Sequence, residues 1–311
     1  MVEDSQIKAQ VSPFAIREGE IKTFDGKDGY VSMNQIVHKI NIGHINEIHF
    51  AILELVNEFE FITSRQLYQM LEIKGFDPKS QDKLNNKLDQ LVKSKILTRY
   101  YFTSDEGKGI YRIYCLEKMG KYLLNSKEIE CKWQPSDNTK PVPMIKKRLA
   151  GNQTLIAYLR KVKAFDSYIV KPAITAKVAG KLFKATGGAV KLTKNKKSIQ
   201  FLFEVVRREQ DWQKKIVDKM KLYKDFYENF VPGDSGFSSM PQLILICEDE
   251  KHMAETFKEI VTNQVEIPQI KLYFTTDLRQ NEETLENTLV EFKLVDGKYK
   301  MENIELKLLG M

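Results

Sequence analysis

Glu204 lies in the string F-L-F-E-V-V-R, an apolar run of strand character. A carboxylate on such a strand could ligate a divalent metal only beside a second acid, since one carboxylate cannot make a two-ligand site. Its neighbours Val205 and Val206 and the preceding Gly187-Gly188 supply none, so Glu204 is expected to be engaged in an ion pair. Asp166 and Glu209 could substitute only by folding into range. Other chemistries fail sooner. Gly180, Gly187 and Gly188 form no G-x-x-x-x-G-K-[ST] phosphate loop, and no G-x-S-x-G or C-x-x-C is present. Cys115, Cys131 and Cys247 lie far apart and suggest buried thiols, while His38, His44 and His49 lack a metal-binding spacing. The G-D-S-G at 233–236 has neither a β-rich fold nor a suitably placed histidine around it. The expectation is a protein with no catalytic residues, no metal and no cofactor.

Binding chemistry is better represented. The formal charge of +7 is distributed unevenly: residues 140–200 carry 15 Lys and Arg against the single acid Asp166, whereas residues 225–311 carry 8 against 17 acids. Like charges at that density repel until an anionic polymer neutralises them, which points to nucleic acid. An uninvolved basic surface, an acidic partner protein and the chain's own acidic C-terminal third are the alternatives. Lys146, Lys147, Arg148, Lys194, Lys196 and Lys197 are the candidate phosphate contacts in this block. A second set comes from a segment whose leucines (Leu84, Leu88, Leu91) recur at helical spacing and so turn the polar residues between them outward. Ser80, Gln81, Lys83, Asn85, Asn86 and Lys87 could then reach base edges or phosphates. Arg99, Lys108 and Arg112 fall on the β-rich runs that follow.

The elements that must carry these residues are legible in outline. Residues 1–45 are mixed and Gly-bearing, an arm or short hairpin of unassigned role. Ile48, Ile52, Leu55, Val56 and Phe59 mark an amphipathic helix. Thr63 caps a second helix that Gly75 ends, and the leucine-bearing third helix follows Asp77-Pro78. Two strand-like runs at 96–102 and 110–116 flank a turn rich in Gly and acids. Helix, helix, helix, hairpin resembles a winged helix-turn-helix over residues 46–124. The resemblance implies a third helix in a major groove and a wing on phosphates or in the minor groove. Protein docking or dimerisation is the alternative use, since this part is nearly neutral and has Glu72, Asp82 and Asp89 close to the proposed reading helix. Residues 125–145, with Pro135, Pro141 and Pro143, are expected to be an interdomain linker stiffened near Pro141–Pro143, with Trp133 docked on one neighbour.

Residues 146–311 are expected to form an α/β domain with a mixed, partly parallel sheet. A basic helix over 145–165 comes first, and 178–183 fits strand or helix. A hairpin over 189–206 turns at K-N-K-K and leads into a long helix over 208–230. A continuous apolar strand, QLILIC, reads as buried on both faces. Helices at 252–261 and 281–290 and strands at 270–275, 292–294 and 304–308 complete the pattern. This order is similar to the core of restriction-endonuclease-like folds. That resemblance implies an Asp on the first hairpin strand and a Glu-x-Lys on the second, which hold a metal and orient water. This chain has Gly187-Gly188 and Glu204-Val205-Val206 there, so Glu204 is a vestigial position. The strings FLFEVVRREQDWQKKIVDKMKLY, QLILICEDEKHMAETF and IKLYFTT resemble the replication-relaxation family of plasmids and integrative conjugative elements over roughly residues 46–295. That family shows Pro-Asp before the first hairpin strand and an E-x-D-like pair on the second; this chain departs at both places. The resemblance implies a non-catalytic, double-stranded DNA-binding accessory factor for element replication or relaxase action. Its partners would be a relaxase, helicase or replication initiator, with homodimerisation open. A metal-dependent nuclease and a transcriptional regulator are the rivals. No apolar run approaches membrane-spanning length, and the polar, acidic N-terminus is no secretory signal, so a cytoplasmic location is expected.

Overall fold

The computed structural model describes residues 11–104, 107–282, 284–295 and 298–309. The chain is a mixed α+β protein with two principal sheets, one of four strands and one of seven. In the N-terminal part, β1 (Ile21–Phe24) and α1 (Met33–Asn41) precede α2 (Glu47–Phe59), the short β2 (Ile62–Thr63), α3 (Ser64–Ile73) and α4 (Gln81–Lys93). β3 (Leu97–Ser104), β4 (Gly107–Leu116) and α5 (Lys118–Ser126) follow. The four strands order as β1-β3-β4-β2. Thr63 starts α3 with a capping box: its hydroxyl accepts from the Gln66 N–H and the Gln66 side chain accepts from the Thr63 N–H. Ser80 caps α4 by one bond, its hydroxyl accepting from the Lys83 N–H.

α6 (Val142–Lys161) begins inside the stretch expected to be a linker. Pro141 is its N-cap and Pro143 lies in its first turn, where a missing N–H leaves no hydrogen bond unmade. A 3-10 turn at Pro135–Thr139 precedes the helix, and Trp133 docks there by donating to the Asn138 side chain at 3.1 Å. Residues 11–45 are likewise no free arm. β1 pairs antiparallel with β3, and Ser12 reaches across to Asp277.

The larger sheet orders as β13-β12-β11-β10-β9-β8-β5. Its strands are β5 (Phe165–Ile169), β8 (Gly188–Lys194), β9 (Lys197–Val205), β10 (Gln242–Cys247), β11 (Leu272–Thr276), β12 (Leu289–Val295) and β13 (Lys298–Ile304). β9, β10 and β11 are mutually parallel and the remaining pairs antiparallel. Between β5 and β8 lies the hairpin of β6 (Ala173–Ala176) and β7 (Lys181–Lys184), so the ambiguous 178–183 stretch is a turn over 178–180 and strand from Lys181. Strand alternation divides the apolar side chains between two cores. Phe201, Phe203, Val205, Ile244 and Ile246 join Leu149, Leu155 and Tyr158 of α6, and that core continues into the N-terminal helices. Leu202, Leu243, Leu245 and Cys247 face α7 (Trp212–Glu228) and α8 (Glu250–Thr262).

Two further expectations fail near the C-terminus. The helix expected at 281–290 is a 3-10 turn, Arg279–Asn281, followed by irregular chain and the start of β12. Antiparallel pairing of Val290 with Phe274 takes over what the charged run alone suggested. After β13 the chain closes as a 3-10 turn at Lys307–Leu309 and not as a strand. No helix among the described residues is long and apolar enough to cross a membrane.

Candidate nucleic-acid interface

α4 buries Leu84, Leu88, Leu91 and Val92, which fixes what it can display. Ser80, Lys83 and Asn86 are exposed and Lys87 is half-buried. Lys83, Asn86 and Lys87 enter no ion pair or side-chain hydrogen bond among the described residues. Gln81 and Asn85, one turn apart, bond to each other at 3.2 Å and turn sideways into a groove instead of straight outward. Of the nearby acids, Asp89 is held by Arg99, and Glu72 lies 3.9 Å from Arg160. His49, beneath α4, is buried and bonds Asn46 and Gln90, a satisfied core histidine whose pKa burial lowers.

A second exposed cationic feature is the β8–β9 turn. Asn195 and Lys196 both take left-handed φ (52° and 64°), the geometry of a tight two-residue hairpin. The turn presents Lys194, Lys196 and Lys197 to solvent, with no ion pair among the described residues. Thr193 N–H bonds the Ala164 carbonyl at 2.7 Å, so this tip lies beside the end of α6 and the exposed Lys163.

Other candidates are not where the sequence suggested. Lys146 is 2% exposed, ion-paired to Glu20 and bonded to the Ala15 carbonyl, so it faces the interior. Arg148 is 11% exposed, 3.7 Å from Glu60, and donates to the Val170 carbonyl. Lys147 is taken up by Glu209. Arg99 is 13% exposed and clamped between Asp25 and Asp89. Arg112 stays half-exposed, 3.2 Å from Asp25. The side chain of Lys108 falls outside the described residues. Much of the 140–200 charge is thus neutralised within the chain, by acids that the sequence places elsewhere. Glu60 alone gathers Lys140, Lys171 and Arg148. Burial opposes its ionisation, yet the three cations hold its carboxyl below the ordinary range.

Glu204 is buried in a closed hydrogen-bond set. Its oxygens accept from the Thr186 N–H and hydroxyl and, at 2.6 Å, from the Tyr223 hydroxyl, with Lys219 at 3.6 Å. The expected ion pair is therefore present, with Lys219, and two hydroxyls join it. Asp166 is engaged by Lys191 and Thr193, and Glu209 by Lys147 and Lys215. Positions 187 and 188 have no room for a side chain. A Cβ on Gly187 would stand 2.6 Å from Phe203 Cβ, and one on Gly188 (φ +86°) 2.9 Å from the Ile169 carbonyl oxygen. No three His, Cys, Asp or Glu among the described residues are grouped to hold a metal ion.

Sequence reasoning missed a polar cluster at the C-terminal ends of the parallel strands. Arg207, fully buried after β9, makes two 2.8 Å bonds to Asp277 after β11. Glu248, after β10, accepts from the Arg208 and Ile16 N–H groups, and burial raises its carboxyl pKa. The Glu248 N–H donates to His252 Nδ1, and burial with Arg208 and Arg207 nearby holds that imidazole down at about 3. Only a parallel arrangement brings 207, 248 and 277 to one edge, and no local pattern announces it. Compared with known proteins, the chain matches no family model, no curated protein and no solved structure.

Proposed function

We propose that the protein binds double-stranded DNA without cutting it, as an accessory factor of plasmid or conjugative-element replication or of relaxase action. The observation that carries the DNA reading is α4, whose outer face offers Ser80, Lys83, Asn86 and Lys87 free of internal ion pairs. Its N-terminal setting is read as a winged helix. The support is β2, which lies between α2 and α3 and pairs with β4, so that three strands flank three helices in the expected order. The rest is read as a restriction-endonuclease-like core, on the strength of the order α6-β5-β8-β9-α7-β10 with β9 and β10 parallel. The absence of cleavage is inferred from Val206, the closed shell of Glu204 and the lack of room for an acid at 187–188. The role in element biology comes from the family resemblance alone.

Electrophoretic mobility shift across a salt series tests this reading. Affinity for duplex is expected to fall steeply with salt. Replacing Lys83, Asn86 and Lys87 with Ala should weaken it and make the log–log salt slope shallower by about 2, one for each lysine lost. Indifference to duplex at low salt, or Mg²⁺-dependent nicking lost in Glu204→Gln, would overturn the proposal. An adaptor role is the second reading. It is favoured by Leu294, Tyr299 and Met301, exposed on the β12–β13 hairpin of the acidic C-terminal third, and capture of a relaxase, helicase or initiator without DNA would support it.

A further inference from the structure

A cavity of about 1110 Å³ lies between the N-terminal helices and the large sheet. Its walls are the first turns of α3 and α4, the β3–β4 hairpin, the C-terminal half of α6 and the chain after β11. It exceeds the roughly 300–1,000 Å³ usual for small-ligand sites, yet it has no room for a double helix. Its chemistry is of three kinds.

The first is positive charge. Arg65, in the first turn of α3, is exposed and has no ion-pair partner among the described residues. A cation at a helix N-terminus adds to the positive end of the helix dipole, so the spot favours an anion. Across the cavity, Arg160 of α6 has only the 3.9 Å contact to Glu72, both side chains being more than two-fifths exposed. Asp277, the one acid lining the cavity among the described residues, is already paired with Arg207.

The second is amide groups. Gln69, Gln81, Asn85 and Gln153 contribute neutral donor–acceptor pairs, the group best matched to base edges. The third is a pair of unsatisfied polar atoms. Gln280 is 5% exposed, and its Nε2 is buried with no hydrogen-bond partner; the hydroxyl of Tyr111 is in the same position. Buried polar atoms are seldom left so, because each costs about 1–3 kcal/mol. Both residues line this cavity, with these atoms beneath its surface.

We infer that this groove binds a short unpaired stretch of DNA, its phosphates held by Arg65 and Arg160 and its bases read by the amide-lined walls. The inference rests on the DNA-binding reading only for the choice of polymer, since the groove is distinct from the outer face of α4. Groove walls tied together by buried contacts would present it already formed: Gln66 Nε2 donates to the Leu149 carbonyl at 2.7 Å, joining α3 to α6.

The test uses the full-length protein and fluorescence anisotropy. One probe is a labelled oligothymidylate of about eight nucleotides, within the site sizes usual for strand-binding modules. The other is a fully paired duplex. Arg65→Ala combined with Arg160→Ala should weaken strand binding by about tenfold or more and change duplex affinity by less than about twofold. Both side chains are substantially exposed, so the fold should survive, and an unchanged melting temperature of the double variant checks that it has. Duplex binding without strand binding would overturn the inference and leave the duplex reading standing. Equal weakening of both probes, or strand binding indifferent to the double variant, would also overturn it. Strand binding lost in the variant, with no duplex binding, would uphold the groove and remove the duplex reading. Binding of neither would remove both.

Discussion

Glu60 organises the charge that the sequence made conspicuous. It follows the last turn of α2 with a left-handed φ of 71° and collects Lys140, Lys171 and Arg148 from a segment distant in sequence. With its side chain 14% exposed, removing it would leave three cations facing one another. Glu60→Gln is therefore expected to cost about 3 kcal/mol in urea unfolding at pH 7. Because its folded pKa is depressed, the stabilisation is complete above the ordinary glutamate pKa of about 4.3 and is lost as pH falls through the lower folded value. The gap between wild type and variant should close over that acid window; a gap constant from pH 7 to pH 3 would contradict the linkage. Asn152 works by hydrogen bonding instead. Its Nδ2 donates to the carbonyls of Phe59 and Phe61, so Asn152→Leu should cost about 2 kcal/mol by stranding them.

At the scale of elements, α6 and β8 approach closely because glycines meet. A Cβ on Gly151 would come within 2.6 Å of the Thr186 carbonyl oxygen and 2.7 Å of Gly187 Cα. Gly187 is itself crowded from the side of β9, by Phe203. Gly187→Asp, which would add a carboxylate there, should lower the melting temperature by several degrees, as overpacking of about 1–3 kcal/mol implies, and should create no metal-dependent cleavage. A folded, Mg²⁺-activated variant would show that the scaffold tolerates the acid after all. The α4 leucines were legible in the sequence because a 3.6-residue period survives without tertiary context. Gln81 and Asn85 were misjudged as outward-facing because their surroundings come from α6 and the chain after β11, which no local window contains.

At the scale of the molecule, the apolar core beneath α6 runs from the N-terminal helices into the large sheet, so the two halves share one interior. The segment from Val11 to Ile16 adds to this by reaching the strand ends at Asp277 and Glu248. The acid response should reflect that edge. His252 is held near 3, so between its unfolded value of about 6.5 and that point the unfolded chain binds the extra proton and stability falls as pH drops. His252→Gln should therefore lower the melting temperature at pH 8 but flatten its decline from pH 6 to pH 4. An unchanged decline would assign the acid lability to other groups. Asp277 and Glu248, raised by burial, work in the opposite direction and temper the slope.

Most of the helices, the buried strands and the uneven charge are legible in the order of residues alone. These follow from periodicity, capping residues and composition, which act over a few neighbours. The tertiary structure alone decided which cations remain available. Lys146, Arg148 and Arg99 are spent on Glu20, Glu60, Asp25 and Asp89, while Lys83, Lys194, Lys196 and Lys197 are not. It also decided that amides and arginines from α3, α4 and α6 line one groove. Ion pairing and cavity formation depend on distances between segments a hundred residues apart, and those distances exist only once the chain has packed.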